Sequence, residues 1–325
     1  HRKALAACAV SILLAVPASG HAQTPPGVAD TQELLRQQER ERQLREQFER
    51  APDVRLEAPA ADSADAPLAV DETPCFRIER IELAGARGEA FHWALAAIDR
   101  PDDPPTGRCL GTRAINQLMA RLQNRIVSRG YITTRVVAAA QDLTRGVLTL
   151  TVIPGRIRDI RPADDTQLHA RLGAALPAAG GDLLNLRDIE QGLENLKRVP
   201  TADADIQIAP AADPLAGPGE SDLVVAWGQE RLLRFNLSLD DSGTRATGRF
   251  LGGATVSLDN ALGLSDLFYA SFNHDLGGGV SGSRGTHGYT VHYALPWGYW
   301  LASLTAGGNT YHQAVAGANQ TYRYS

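Results

Sequence analysis

The 325 residues carry a formal charge of −5, with 21% charged and 6% aromatic residues. A balance this mild argues against a nucleic-acid partner, and the length leaves room for two or three folded units. After the N-terminus no apolar run reaches the roughly 18 residues that a membrane helix needs, so no helical span is expected.

Residues 1–22 read as a secretory signal: Arg2 and Lys3, an apolar run from Ala4 to Val16, then the small-residue site Ser19-Gly20-His21-Ala22. A buried helix is the alternative, and the flanks disfavour it. Leu5-Ala6-Ala7-Cys8 resembles a lipoprotein cleavage box, but the apolar run follows the cysteine, so lipidation is rejected.

Residues 23–50 hold a charged helix from Gln32 to Arg50, with Leu34, Leu35, Leu44 and Phe48 as its large apolar residues. Glu41 with Arg45 and Glu46 with Arg50 stand at i,i+4 in the favourable order. So polar a helix does not belong to a core, and a solvated spacer helix is one reading of it. Residues 51–74, rich in Ala, Pro and Asp, read as an extended linker.

An internal repeat follows. Residues 75–154 open with a strand from Phe76 to Leu83 and continue with a short helix near Ala90–Ile98. A longer helix spans Thr112–Arg129, with Ile115, Leu118, Met119, Leu122 and Ile126 at helical spacing and Gly130 as its C-cap. Strands at Tyr131–Ala138 and Val147–Ile153 complete the unit. Residues 155–228 repeat the order: a strand at Gly155–Ile160, helices at Thr166–Leu176 and Arg187–Arg198, then strands at Asp203–Ala209 and Asp222–Trp227. Order β-α-α-β-β, twice, describes two small α+β modules. Past the signal the chain holds two cysteines, Cys75 and Cys109, and an even pair in an exported chain points to a disulfide. Two isolated thiols with no histidine nearby make no metal site.

Residues 229–325 alternate apolar and polar residues, strand after strand. Leu233, Phe235, Leu237 and Leu239 interleave with Arg234, Asn236, Ser238 and Asp240; Tyr289, Val291, Tyr293 and Leu295 interleave with Thr290, His292 and Ala294. A soluble sandwich or barrel shows the same period. Tyr293, Trp297, Tyr299 and Trp300 crowd a Pro/Gly turn, the placement that a membrane–water interface favours, and tilt the reading to a transmembrane antiparallel β-barrel. Tight turns at one end and a Gly/Ser-rich connection from Gly277 to Gly285 at the other agree with it. About six strand candidates fall short of the eight or more of a usual barrel, and the chain begins with His and stops inside a strand pattern. A truncated barrel is therefore expected.

No catalytic site, metal site or cofactor is expected. Gly277-Gly278-Gly279-Val280-Ser281-Gly282 matches G-x-G-x-x-G in form only, since no βαβ unit surrounds it. His274, His287, His292 and His312 lack the short spacing of metal ligands. Asp240, Asp241 and Asp259 sit where turns favour Asp.

Several stretches together resemble the two-partner secretion transporters, outer-membrane proteins of the ShlB/FhaC/HecB type that export haemolysins and filamentous-haemagglutinin type adhesins. They are Asp241–Gly248, Asp259–Asp266, Tyr293–Trp300 and His312–Tyr324 in the strand region, and Gly130–Val136, Gln141-Asp142-Leu143 and Gly155-Arg156-Ile157 upstream. The resemblance implies that the modules are periplasmic POTRA domains and that residues 23–50 form a helix plugging the barrel of an outer-membrane protein in a Gram-negative bacterium. It implies an unfolded secreted exoprotein and outer-membrane lipid as partners, with no nucleotide and no enzyme activity. On the first module, β-augmentation would use an edge strand, Ile132, Thr133, Thr134, Arg135, Val136 and Val137, with Gln117 and Arg121 as the groove wall. An outer-membrane insertase of the same POTRA–barrel class is the alternative; the paired modules argue against a passive porin.

Overall fold

The structure, a computed structural model, describes residues 10–11, 28–49, 51–56, 66–163, 172–243, 248–277, 285–315 and 320–324. β1 (Val10–Ser11) is a two-residue strand, and the rest of the segment read as a signal lies outside the described residues. Helix α1 (Val28–Phe48) comes next. Its ion pairs put arginine first, Arg42 with Glu46 at 3.9 Å and Arg45 with Glu49 at 4.0 Å, beside Arg42 with Glu39 at 2.7 Å. Exposed pairs of this kind add a few tenths of a kcal/mol each, so packing decides where the helix lies.

The first module runs β2 (Phe76–Ile78), β3 (Arg80–Ala84), a 3-10 helix (Gly88–Ala97), β4 (Arg108–Leu110), α2 (Thr112–Val127), β5 (Arg135–Val137) and β6 (Val147–Ile153). The single strand expected over Phe76–Leu83 is thus two: β2 pairs antiparallel with β4, and β3 pairs parallel with β6. The helix expected near Ala90–Ile98 is a 3-10 helix. Leu148, Leu150 and Val152 of β6 pack with Leu118, Leu122 and Ile126 of α2 and with Phe91 in a fully buried core. Gly130, at φ 95°, ends α2 in the left-handed region that glycine adopts without strain. The turn after it takes up Tyr131 to Thr134, with Thr134 N donating to Tyr131 O at 3.3 Å. This turn is why the strand expected over Tyr131–Ala138 shrinks to three residues.

Cys75 and Cys109 form a disulfide with Cα atoms 5.3 Å apart, 34 residues apart in sequence. Replacing both by Ser is expected to lower the unfolding free energy of the first module by about 2–4 kcal/mol, since the open loop regains chain entropy. Denaturant titration of the oxidised protein against the double variant measures it.

The second module runs β7 (Arg156–Pro162), α3 (Leu172–Ala175), α4 (Leu186–Leu196), β8 (Ala202–Pro210) and β9 (Glu220–Gln229). Of the helix expected over Thr166–Leu176, the part before Leu172 lies outside the described residues. Asn185 caps α4, its Oδ1 accepting from Arg187 N at 2.9 Å. The sheet orders β3-β6-β5 and β7-β9-β8 have the same topology, a parallel pair followed by an antiparallel one. The repeat is real at the level of the fold.

An antiparallel meander completes the chain: β10 (Leu233–Asp240), β11 (Phe250–Asp259), β12 (Leu267–Gly277), β13 (Gly285–Trp297), β14 (Trp300–Val315) and β15 (Gln320–Tyr324). β1 pairs in parallel with Ala302 and Ser303 of β14. β11 to β14 have 10, 11, 13 and 16 residues, enough for the roughly 9–11 of a tilted transmembrane strand. Leu237 and Leu239 are 71% and 72% exposed, and Leu233, Phe235, Phe272, Tyr289 and Leu304 are also open on that face. Ser257, Thr255, Tyr269 and His292 are buried on the opposite face. A sheet that shows leucine outward and covers serine inward is built for lipid outside and polar contents inside. The connection inside the expected loop Gly277–Gly285 lies outside the described residues.

Candidate functional site

Three surfaces bear on function: the inner face of the sheet, the seam where the sheet meets the second module, and the flanks of α2.

On the inner face lies α1. Gln37, Glu41 and Gln47 of the helix and Asn236, Ser271 and Asn273 of the sheet line a cavity between them. Polar side chains on both walls suit water, and little apolar area holds the middle of the helix. Its end is different. Phe48 is buried, with its ring 5.5 Å from that of Tyr269 and the Arg234 guanidinium 5.1 Å from its centroid. Beyond it, Glu49 stands 2.9 Å from His292 Nε2 of the sheet and 3.0 Å from Arg198 Nη2 of the second module. One carboxylate therefore joins helix, sheet and module.

The seam holds a second buried ion pair. Arg234 reaches Asp259 with Nε and Nη2, both at 2.9 Å, and Thr201 of the second module donates to Asp259 Oδ2 at 2.8 Å. Asp259 was expected as a turn residue; the structure corrects this, because Arg234 and Thr201 draw its carboxylate inward, fully buried. Asp240 keeps the turn role, accepting from Ser242 N at 3.0 Å. The short turn between β13 and β14 docks on the module. Gly298, at φ 54°, donates its N–H to Ala174 O at 3.0 Å and accepts from Asn195 Nδ2 at 2.7 Å. Tyr299 donates its hydroxyl to Asp188 of α4. Burial holds the Asp188 carboxyl above its ordinary range, against that hydroxyl. Of the four expected interface aromatics, Trp297 and Trp300 are 70% and 54% exposed, whereas Tyr293 is half-buried. Tyr299 faces the module, because the turn is drawn onto α4.

On the first module, the expected groove separates into two places. Successive helix residues turn by about 100°, so Gln117 and Arg121 share one flank of α2 while Gln123 faces roughly opposite. Gln123 serves the edge strand: its Oε1 accepts from Val136 N at 2.9 Å and its Nε2 donates to Thr134 O at 2.6 Å. An amide that bonds O of one residue and N of the next-but-one imitates a neighbouring strand, and it covers the edge of β5. The sequence reading missed Gln123 because a lone polar residue on a helix carries no periodic signal. Thr134 is buried, its hydroxyl accepting from Gly155 N at 3.0 Å, and Ile132 packs on the second module's core. Ile132, Thr133 and Thr134 therefore belong to the joint between modules, and only Arg135, Val136 and Val137 stand on the edge.

Gln117 and Arg121 are covered by the chain's own residues 66–72. Gln117 Oε1 accepts from Ala69 N at 2.7 Å, and its Nε2 donates to Pro67 O at 3.1 Å. Arg121 Nη2 donates to Ala66 O at 2.8 Å and to Asp103 at 2.6 Å. Asp103 Oδ2 accepts from Leu68 N at 2.9 Å. Burial works to raise the Asp103 carboxyl, but Arg121, the Leu68 N–H and Arg108 prevail and hold it down at about 2. Leu68 enters the first module's core. Of the segment expected as an extended linker, residues 66–72 are thus seated, since a leucine anchor and four paired backbone groups outweigh their Ala/Pro composition.

Tandem β-α-α-β-β modules docked on a sheet with leucine outside and a polar helix inside define a POTRA-bearing outer-membrane barrel protein. Residues 76–155 match the ShlB-type POTRA domain, residues 156–210 a POTRA domain, and residues 219–325 the haemolysin secretion/activation protein ShlB/FhaC/HecB family. The outer membrane transporter CdiB-2 of Burkholderia pseudomallei is 40% identical over 297 residues, which cover 88% of this chain and 50% of that protein. The haemolysin transporter protein ShlB of Serratia marcescens is 29% identical over 224 residues, 67% of this chain and 38% of its own. The structure of CdiB from Acinetobacter baumannii superposes with a TM-score of 0.73 at 27% identity, covering 91% of this chain and 56% of that one. The chain belongs to the ShlB/FhaC/HecB family of outer-membrane transporters, with its POTRA modules periplasmic. It spans about half the length of the CdiB-2 relative that it matches.

Proposed function

We propose that this protein exports an unfolded exoprotein of the haemolysin or adhesin type from the periplasm to the cell surface by two-partner secretion. The observation that carries the reading is a polar helix lying on the wet face of an outward-greasy sheet and joined at its end to the second of two POTRA modules. A path lined with amide and hydroxyl groups accepts a polypeptide whose backbone groups are unpaired. In this reading folding of the exported chain outside supplies direction. The transporter names of the relatives favour export over membrane-protein insertion.

In this reading β5 recruits the exoprotein by β-augmentation once Gln123 yields the edge. The test is co-purification of the full chain, in detergent, with the N-terminal domain of a large secreted exoprotein encoded beside it. Binding is expected, weakened at least tenfold by Val136→Pro, which deletes the N–H that Gln123 accepts. Absence of binding, or binding indifferent to proline at Val136, sinks the recruitment model.

A further inference from the structure

The seating of residues 66–72 on α2 has a counterpart on the second module. There Glu190 and Glu194, one turn apart on α4, accept from the backbone of the segment just after α1: Leu56 N to Glu190 Oε1 at 2.9 Å, Val54 N to Glu194 Oε1 at 3.2 Å. Val54 and Leu56 pack on that module's core. In each module an i,i+4 pair on the second long helix holds an extended stretch of main chain, and apolar side chains go inward. Counted from the N-caps Gly111 and Asn185, the pairs stand at the sixth and tenth positions of α2 and the fifth and ninth of α4. The flanks differ: Gln117 and Arg121 each precede a buried leucine of α2 (Leu118, Leu122), whereas Glu190 and Glu194 each follow a buried residue of α4 (Ile189, Leu193). The two seats share a device, not a position.

The seat on α2 specifies its occupant with little sequence. Four backbone groups are satisfied, at Ala66, Pro67, Leu68 and Ala69, by Arg121, Gln117 and Asp103. One leucine is swallowed. Four residues on, Glu72 caps α2, its Oε1 accepting from Arg113 N at 2.9 Å and its Oε2 from Ala114 N at 3.0 Å. The requirement is an extended segment with a leucine and an acid four residues later. Such stretches recur in any unfolded polypeptide, and a seat that reads main chain tolerates many of them.

We propose that this flank of α2 is a binding seat for extended segments of the exported polypeptide, and that residues 66–72 are its built-in occupant, displaced when the client arrives. The proposal rests on the export reading and adds a second contact to it, distinct from the β5 edge. A tethered occupant acts at an effective concentration of order mM, so a free peptide meets strong competition until the seat is vacated. Release has a fixed direction. The segment is fastened at its far end by Glu72 and by the Cys75–Cys109 disulfide, so it peels from Ala66 onward and stops there.

The test titrates a fluorescent peptide with the sequence of residues 66–74 into the full chain in detergent. It compares the native protein with a variant in which Ala66–Ala69 is replaced by Gly-Ser-Gly-Ser. The vacated variant is expected to bind at least tenfold more tightly, to lose the gain on adding Gln117→Ala, and to reject a peptide carrying Leu68→Asp. If the replacement prevents folding, Leu68→Ala, which keeps every backbone contact, gives an intermediate gain. Exoprotein N-terminal domain is then added as competitor, and displacement of the peptide is expected. Equal peptide affinity in native and vacated proteins overturns the proposal, as does a domain that binds through β5 without displacing the peptide. That second result leaves export standing. A domain that binds neither protein defeats the export reading instead, while the peptide titration alone still decides whether the seat exists.

Discussion

Asp259→Ala is expected to cost about 3–5 kcal/mol, because it leaves the Arg234 guanidinium in the seam without its buried partner. Arg234 is bonded twice to that carboxylate at 2.9 Å, once to Ser257 Oγ at 3.2 Å and once to Phe48 O at 3.1 Å. Thr201 loses its acceptor as well, so the second module loosens from the sheet. Melting of the detergent-solubilised protein measures the loss. Arg234→Met with Asp259→Leu should recover much of it, because replacing both charges removes the stranded one. A single variant no less stable than the native protein would show that solvent reaches the pair.

Phe48→Ala is expected to weaken the docking of α1 by about 3–5 kcal/mol, the usual range for emptying a buried phenylalanine site. The residue stacks near Tyr269 and sits under Arg234, while the helix before it rests on polar walls. Nearly all the apolar hold is therefore at one end. The readout is thiol labelling of Gln37→Cys, whose native side chain is half-buried at the cavity between helix and sheet. Labelling should accelerate at least a hundredfold when Phe48→Ala is added. Labelling at an unchanged rate would mean that the polar contacts alone retain the helix.

Much of the fold is legible in the sequence because burial writes a period. The alternation from Leu233 onward gives the sheet, its inside and its outside, and the β-α-α-β-β order survives in both modules, with the short strand β4 added between the helices of the first. The break between β2 and β3 was also present in the pattern. Ile78 and Ile81 stand three apart where a continuous strand would place them two or four apart, and that slip marks Glu79 as the junction. The site was harder, because its contacts are made by backbone groups and by long-range pairs. Composition marked residues 51–74 as an extended linker, yet Leu68 needs only one pocket and main-chain partners to be seated. Glu49 meets Arg198 across 149 residues, a pairing that no local pattern records. Gln117 and Arg121 were chosen together with Ile132–Val137 as one groove; the helical angle between Gln117 and Gln123 was the signal that separates them.

The turn at Gly298 and Tyr299 makes the membrane sheet and the second module move as one lever. Gly298 N and O and the Tyr299 hydroxyl are all committed to α3 and α4 or the residues at their ends. A swing of the module away from the bilayer would strand these groups without partners. The second module is thus a fixed bearing for the sheet, and the first is coupled to it through Leu186 N–H on Gly130 O at 2.8 Å and Gly155 N–H on the Thr134 hydroxyl at 3.0 Å.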